Sequence, residues 1–103
     1  MTAWFVGAYG ADMEGTSDGI SFMTTRPDGS LELVGLVAET LSPTFLAERH
    51  GHVYAAAEGS ARVESFRRDA LALHHDGGAD TGGVWPCQLE FIDGALISSN
   101  YSD

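Results

Sequence analysis

The chain has 103 residues, a length that fits one small domain with a single modest core. It carries 15 Asp and Glu against five Arg, no Lys, and a formal net charge of −10. Acid is spread along the whole chain with no basic stripe, which argues against a phosphate-backbone binder and against docking on an anionic membrane surface. At 44% hydrophobic residues it is too apolar for an intrinsically disordered segment.

In chain order, the N-terminus Met1-Thr2-Ala3-Trp4 has neither a basic region nor a long apolar run, so it does not read as a secretory signal. No apolar run approaches the roughly 20 residues of a helical membrane span. Thirteen glycines and three prolines then cut the sequence into short strand-like pieces. These are Trp4 to Tyr9, Gly19 to Thr25, Leu31 to Val37, Thr44 to Glu48, His52 to Ala57, Ala61 to Arg68, Leu71 to His75, Cys87 to Ile92 and Ala95 to Ser99. Leu31-Glu32-Leu33 shows the period-two alternation of a half-buried strand. Pro27-Asp28-Gly29, His50-Gly51 and Asp93-Gly94 supply turn chemistry between them. Leu41 to His50 is the one stretch with a helical alternative, and Pro43 leaves it little more than two turns. The fold class is therefore all-β.

An internal repeat sharpens this. Pro43-Thr44-Phe45-Leu46 is echoed 43 residues later by Pro86-Cys87-Gln88-Leu89, and Gly51-His52-Val53-Tyr54 at the same offset by Gly94-Ala95-Leu96-Ile97. Ser21-Phe22 matches Ser65-Phe66 at an offset of 44. A period of about 40–45 residues holding four short strands is that of a β-propeller blade. The chain then holds β-propeller blades of four antiparallel strands, about two and a quarter of them, in an incomplete ring. Residues 1–38 supply strands two to four of one blade, 39–76 a complete blade, and 77–103 the start of the next. Gly77 to Gly83 is expected as a loose inter-blade connection.

The residues that carry the pattern also resemble a known family. Phe5-Val6-Gly7-Ala8-Tyr9 with Gly19-Ile20, Leu31-x-Leu33-Val34, Ser42-Pro43-Thr44-Phe45-Leu46-Ala47, Val53 to Gly59, and Pro86-Cys87-Gln88-Leu89 through Asn100-Tyr101 look like the N-terminal third of the lactonase-type seven-bladed propellers. That family includes propeller-type 6-phosphogluconolactonases and the carboxy-cis,cis-muconate lactonizing enzymes. The resemblance implies a small-molecule lactone handled at the mouth of the central channel, with no metal or organic cofactor. It places the catalytic His, Arg and Glu in later blades, so none is carried onto this chain, and 103 residues alone are expected to be inactive. Gln88 departs from the Pro-Cys-His-Leu that relatives often have. The functions it leaves open are a sugar lactonase acting on 6-phosphogluconolactone, a carboxymuconate cycloisomerase, and a non-catalytic module that binds a ligand or a protein.

In a propeller, the loops from outer to inner strands and from second to third strands open on one face. Tyr9, Glu58, Arg62, Cys87, Gln88, Asn100 and Tyr101 are the groove candidates on that face. Glu58 and Arg62 lie across one turn, suiting a water-orienting acid and an anion-holding guanidinium; a turn-stabilising ion pair is the plainer alternative. His74, His75 and Asp76 with His50 and His52 invite a zinc reading, but adjacent strand residues point to opposite faces, and solvated edge residues are preferred. Asp12, Glu14 and Asp18 lack the spacing of a calcium loop. Cys87 has no basic neighbour in sequence to activate it and reads as blade packing. Trp4, Phe22, Phe45, Phe66, Trp85 and Phe91 are assigned to the space between blades. One cysteine and no secretory signal suit the cytoplasm, so the pattern Asn100-Tyr101-Ser102 is not expected to be glycosylated. Unpaired edges and fewer than three repeats predict self-association.

Overall fold

The computed structural model describes residues 2–102. Its strands are β1 (Ala3–Val6), β2 (Gly19–Thr25), β3 (Leu31–Glu39), β4 (Pro43–Arg49), β5 (His52–Ala57), β6 (Arg62–Asp69), β7 (Ala72–Asp80), β8 (Val84–Ile92) and β9 (Ala95–Ser102). Two short 3-10 turns, Ala11–Met13 and Glu58–Ser60, complete the described elements. Among the described residues, no helix is long and apolar enough to cross a membrane.

The strands form three antiparallel sheets, β1-β2-β3, β4-β5-β6-β7 and β8-β9, each a meander of sequential neighbours. They make an open array of propeller blades, 43 × 34 × 22 Å. The hairpin turns follow their chemistry. His50-Gly51 and Asp93-Gly94 both take positive φ at the two central positions, as tight two-residue hairpins require.

The core lies between the first two sheets. Ile20, Val53, Ala55, Phe66 and Leu73 are buried together, with Phe5, Val37, Ala38 and Leu46 packed against them. Ala55, Ala56 and Ala57 are buried on both faces of β5, and their small side chains let the neighbouring sheets approach. At the rim of this seam the Arg68 guanidinium lies 5.0 Å from the Phe5 ring centroid and hydrogen-bonds Glu48. The seam between the second and third sheets sets β8 against β4, β5 and the turn Glu58–Ser60, with Leu89 of β8 buried. Tyr54 meets Phe91 edge-on at 5.5 Å, and Arg49 covers Phe91 at 5.2 Å.

Three details depart from the sequence expectations. β1 stops at Val6 rather than Tyr9, because Gly7 passes so close to the Pro43 carbonyl that a Cβ would collide with it, and the chain leaves the sheet there. β7 runs to Asp80, past the His75 at which the turn signals end it. Gly77 to Asp80 are strand, not a loose connection. Asp76 is an extra residue in the ladder, since Phe66 faces His75 while Ser65 faces Gly77, and Gly77 takes up the irregularity at φ 148°. Trp4 and Trp85 do not fill the space between sheets as Phe22 and Phe66 do. Trp4 is 49% exposed and donates its indole N–H to Thr25 Oγ1 at 2.8 Å.

Candidate functional site

The second and third sheets bring the starts of their inner strands, and all three sheets the ends of their second strands, to one end of the array. There a hollow of about 560 Å³ is lined by Tyr9, Met13, Thr44, Glu58, Trp85, Cys87 and Tyr101. The repeat builds most of it. Thr44 and Cys87 hold equivalent places at the start of β4 and β8. Each is the extra residue of a bulge, because Pro43 faces Ala57 but Phe45 faces Ala56, and Pro86 faces Asn100 but Gln88 faces Ser99. A bulge turns a side chain out of the strand's alternation, and here both turned side chains enter the hollow. Glu58 and Tyr101, again 43 residues apart, follow the second strand of the second sheet and close β9 respectively.

One wall is polar. Glu58 accepts a hydrogen bond from Thr44 Oγ1 at 2.6 Å on one oxygen, and the Tyr9 hydroxyl lies 3.4 Å from the other. The negative charge of Glu58 holds the Tyr9 phenol above its ordinary pKa. The lining is also aromatic: the Trp85 and Tyr101 rings are tilted against each other at 5.6 Å. Glu58 is the sole Asp, Glu, Arg or His among the lining residues, so the charge of the hollow is negative.

The first and second sheets are locked behind the hollow by Ser42. It is fully buried, accepts the Gly10 N–H at 2.9 Å and donates to Asp12 Oδ1 at 2.5 Å. Asp12 in turn packs over Gly59, where a Cβ would clash with its carboxylate. The 3-10 turn holding Glu58 is thereby tied to the loop after β1.

The groove candidates divide. Tyr9, Glu58, Cys87 and Tyr101 surround the hollow. Arg62, Gln88 and Asn100 do not. Arg62 turns away from Glu58 and binds Glu64 at 3.2 Å and Asp80 at 3.1 Å. The Glu58–Arg62 pair across the turn is not formed, because the 3-10 turn and a left-handed Ala61 (φ 58°) aim the two side chains apart. Gln88 follows the bulge and is exposed outside the hollow. Asn100 lies over Gly83, where a Cβ would meet its amide. Sequence reasoning missed Thr44, Met13 and Trp85. For Thr44 the repeat offset was the available signal, since it matches Cys87.

The histidines are spread over edges. His52 Nε2 lies 3.0 Å from Asp76, and His75 Nε2 3.6 Å from Glu64. Among the described residues no three His, Cys, Asp or Glu side chains gather as a metal site would need. A second hollow of about 460 Å³, between β6–β7 and β9, is lined by Tyr54, Val63, Ser65, Leu96 and neighbours, with Asp80 its one acidic residue.

The family described as "Lactonase, 7-bladed beta-propeller" matches residues 3–103. Among solved structures, a candidate 6-phosphogluconolactonase from Bacteroides fragilis superposes with a TM-score of 0.81 at 28% identity, covering 97% of this chain and 29% of that one. A candidate 6-phosphogluconolactonase from Bacteroides uniformis gives 0.80 at 24% identity, covering 97% and 30%. A protein from Lactobacillus plantarum gives 0.67 at 23% identity, covering 82% and 25%. At those lower identities the last two speak to the fold alone. No curated protein matches the chain at a significant level. The chain therefore spans less than a third of the length of the solved structures it matches. With its blade repeat, its three meander sheets and a family match along nearly its whole length, it belongs to the lactonase-type seven-bladed β-propellers.

Proposed function

We propose that this chain serves as a sector of a cytoplasmic propeller that hydrolyses a sugar lactone, with 6-phosphogluconolactone as the substrate. The observation that carries this is the family match over residues 3–103, joined to a hollow at the propeller mouth that offers hydroxyl-binding groups. The likeness to a candidate 6-phosphogluconolactonase at 28% identity supports the choice of lactone. The hydroxyl-binding lining favours it over a carboxymuconate, whose carboxylates bring no hydroxyl donors to Glu58.

In lactone hydrolysis, water adds to the ring carbonyl, the carbonyl oxygen becomes an oxyanion, and the ring oxygen departs as a hydroxyl after taking a proton. A base must accept the proton of water and positive or N–H groups must steady the oxyanion. This sector supplies a carboxylate, three hydroxyl groups (Tyr9, Thr44 and Tyr101) and aromatic faces. The cations that hold a phosphate and an oxyanion come, in this proposal, from the rest of the ring. The exposed apolar strand β3, with Leu31, Leu33, Val34 and Leu36 in the open, is covered in a closed ring by further blades or by copies of the same chain.

The test is release of acid from 6-phosphogluconolactone by the complete propeller at neutral pH. A rate well above spontaneous hydrolysis, lowered by Glu58→Gln, is expected. Turnover no faster than buffer, with a ligand still bound at the mouth, would instead establish a non-catalytic binding module.

A further inference from the structure

The mouth hollow has a division of labour that bears on how a substrate lies in it. On one side sits a carboxylate whose two oxygens already accept from hydroxyl groups, Thr44 at 2.6 Å and Tyr9 at 3.4 Å. Both are displaceable or shareable partners at a half-buried position, so Glu58 keeps acceptor capacity for hydroxyls of a ligand. Lining the same hollow are two large rings, Trp85 at 39% exposure and Tyr101 at 75%, held against each other at 5.6 Å. A carboxylate and aromatic faces in one hollow are a combination suited to a polyhydroxylated ring. The hydroxyls at the ring's edge donate to the acid, while the C–H groups of its face, slightly positive, lie on the negative face of an indole or phenol.

The backbone adds a second observation. Trp85 holds φ at +58°, a left-handed conformation rare for a bulky residue and doubly unexpected before a proline. Such a conformation is strained, and strain of this kind gathers at ligand sites. At the equivalent place Ser42 has φ +43° and is repaid by burial and two hydrogen bonds. Trp85 has no hydrogen bond assigned to its indole among the described residues, and its ring faces the hollow.

We infer that the Glu58 carboxylate and the Trp85–Tyr101 ring pair form a subsite for the neutral, hydroxylated ring of a pyranose-type ligand, with any phosphate on that ligand directed away from this sector. The inference rests on the sugar-lactone reading but reaches beyond it, by fixing which end of the ligand this chain holds. Glu58 repels a phosphate and attracts hydroxyl donors. The ring end therefore seats here and the anionic end extends across the channel toward other blades.

The probes are glucose and glucose 6-phosphate, two stable pyranoses that differ in the phosphate alone, titrated into the complete propeller by calorimetry. Trp85→Ala and Glu58→Gln are each expected to weaken both sugars by about tenfold, and by equal factors, since hydrogen bonds to a charged group and aromatic stacking each contribute at that level. Trp85→Phe restores most of the loss, which shows that a ring face and not general packing is responsible. A loss confined to glucose 6-phosphate, no loss for either sugar, or failure of the wild-type propeller to bind either at millimolar concentration would each overturn the assignment. Binding of both sugars with the predicted losses, but no lactone turnover, would sink the lactonase reading and leave the subsite standing.

Discussion

At the seam between the first and second sheets, Ser42 precedes Pro43 with a positive φ and turns its hydroxyl into the protein, where it joins Gly10 and Asp12. At the next seam Trp85 precedes Pro86 with the same backbone habit, 43 residues on, and turns its indole toward the mouth. The behaviour of the neighbouring sheets matches. The first seam buries Phe66, Ile20 and Val53 almost completely in one cluster, whereas the second, beside the buried Leu89, carries Tyr54 and Phe91 at a partly exposed rim. One repeated backbone device thus locks one blade junction and, in our proposal, presents a ligand-binding ring at the next. Equivalent positions in a repeat protein share a conformation without sharing a task.

The contrast predicts unequal responses to mutation. The largest should come from Phe66→Ala, which empties the buried seam and should cost about 3–5 kcal/mol in urea unfolding. Phe91→Ala, at the partly exposed rim of the second seam, should cost only about 1 kcal/mol. Equal losses would erase the distinction. Ser42→Ala comes next, at about 1–3 kcal/mol, because it strands the Gly10 N–H in a buried place and removes the donor to Asp12. Trp85→Ala, at the matching position, should change stability by about 0.5 kcal/mol or less while weakening sugar binding. If both substitutions destabilise alike, Trp85 is a packing residue after all.

The smallest effect concerns Asp76, which lies on the outer part of the second sheet. A hydrogen bond from Ser65, with a further contribution from His52, holds its carboxyl below the ordinary value of 3.8. Since the folded value is the lower one, the stabilisation is fully present above pH 3.8 and is lost as pH falls through the depressed value. An NMR titration of the Asp76 carboxyl carbon should show a midpoint below that of a free aspartate, and His52→Ala should raise it part of the way back. A midpoint at the free value would mean that the pair at 3.0 Å does not persist in solution.

Much of the fold was legible because its determinants are local. Strand alternation, His50-Gly51 and Asp93-Gly94 are read directly, and the 43-residue echo fixes the blade period. The end of β7 was not legible. Gly77-Gly78 looks like loop chemistry, and only the ladder shows that Asp76 is a bulge which lets the strand continue. Gly78 also has a non-local setting: a Cβ there would displace the Glu64 carboxylate and the Arg62 guanidinium and press on the Val63 carbonyl. In the site, Tyr9, Glu58, Cys87 and Tyr101 follow from where blade loops open. Arg62 misled because sequence proximity to Glu58 says nothing of Glu64 and Asp80, which capture it through sheet pairing. Trp85 was hidden by chemistry. An aromatic residue in a strand is usually core, and its positive φ before proline runs against the local preference of that dipeptide.

The most direct test of the account is a crystal structure of the complete propeller with glucose 6-phosphate bound at the mouth. The account predicts the pyranose face against Trp85 and Tyr101, a ring hydroxyl within hydrogen-bond distance of Glu58, and the phosphate pointing across the channel. A phosphate seated beside Glu58, or a sugar bound elsewhere with this hollow empty, would contradict it.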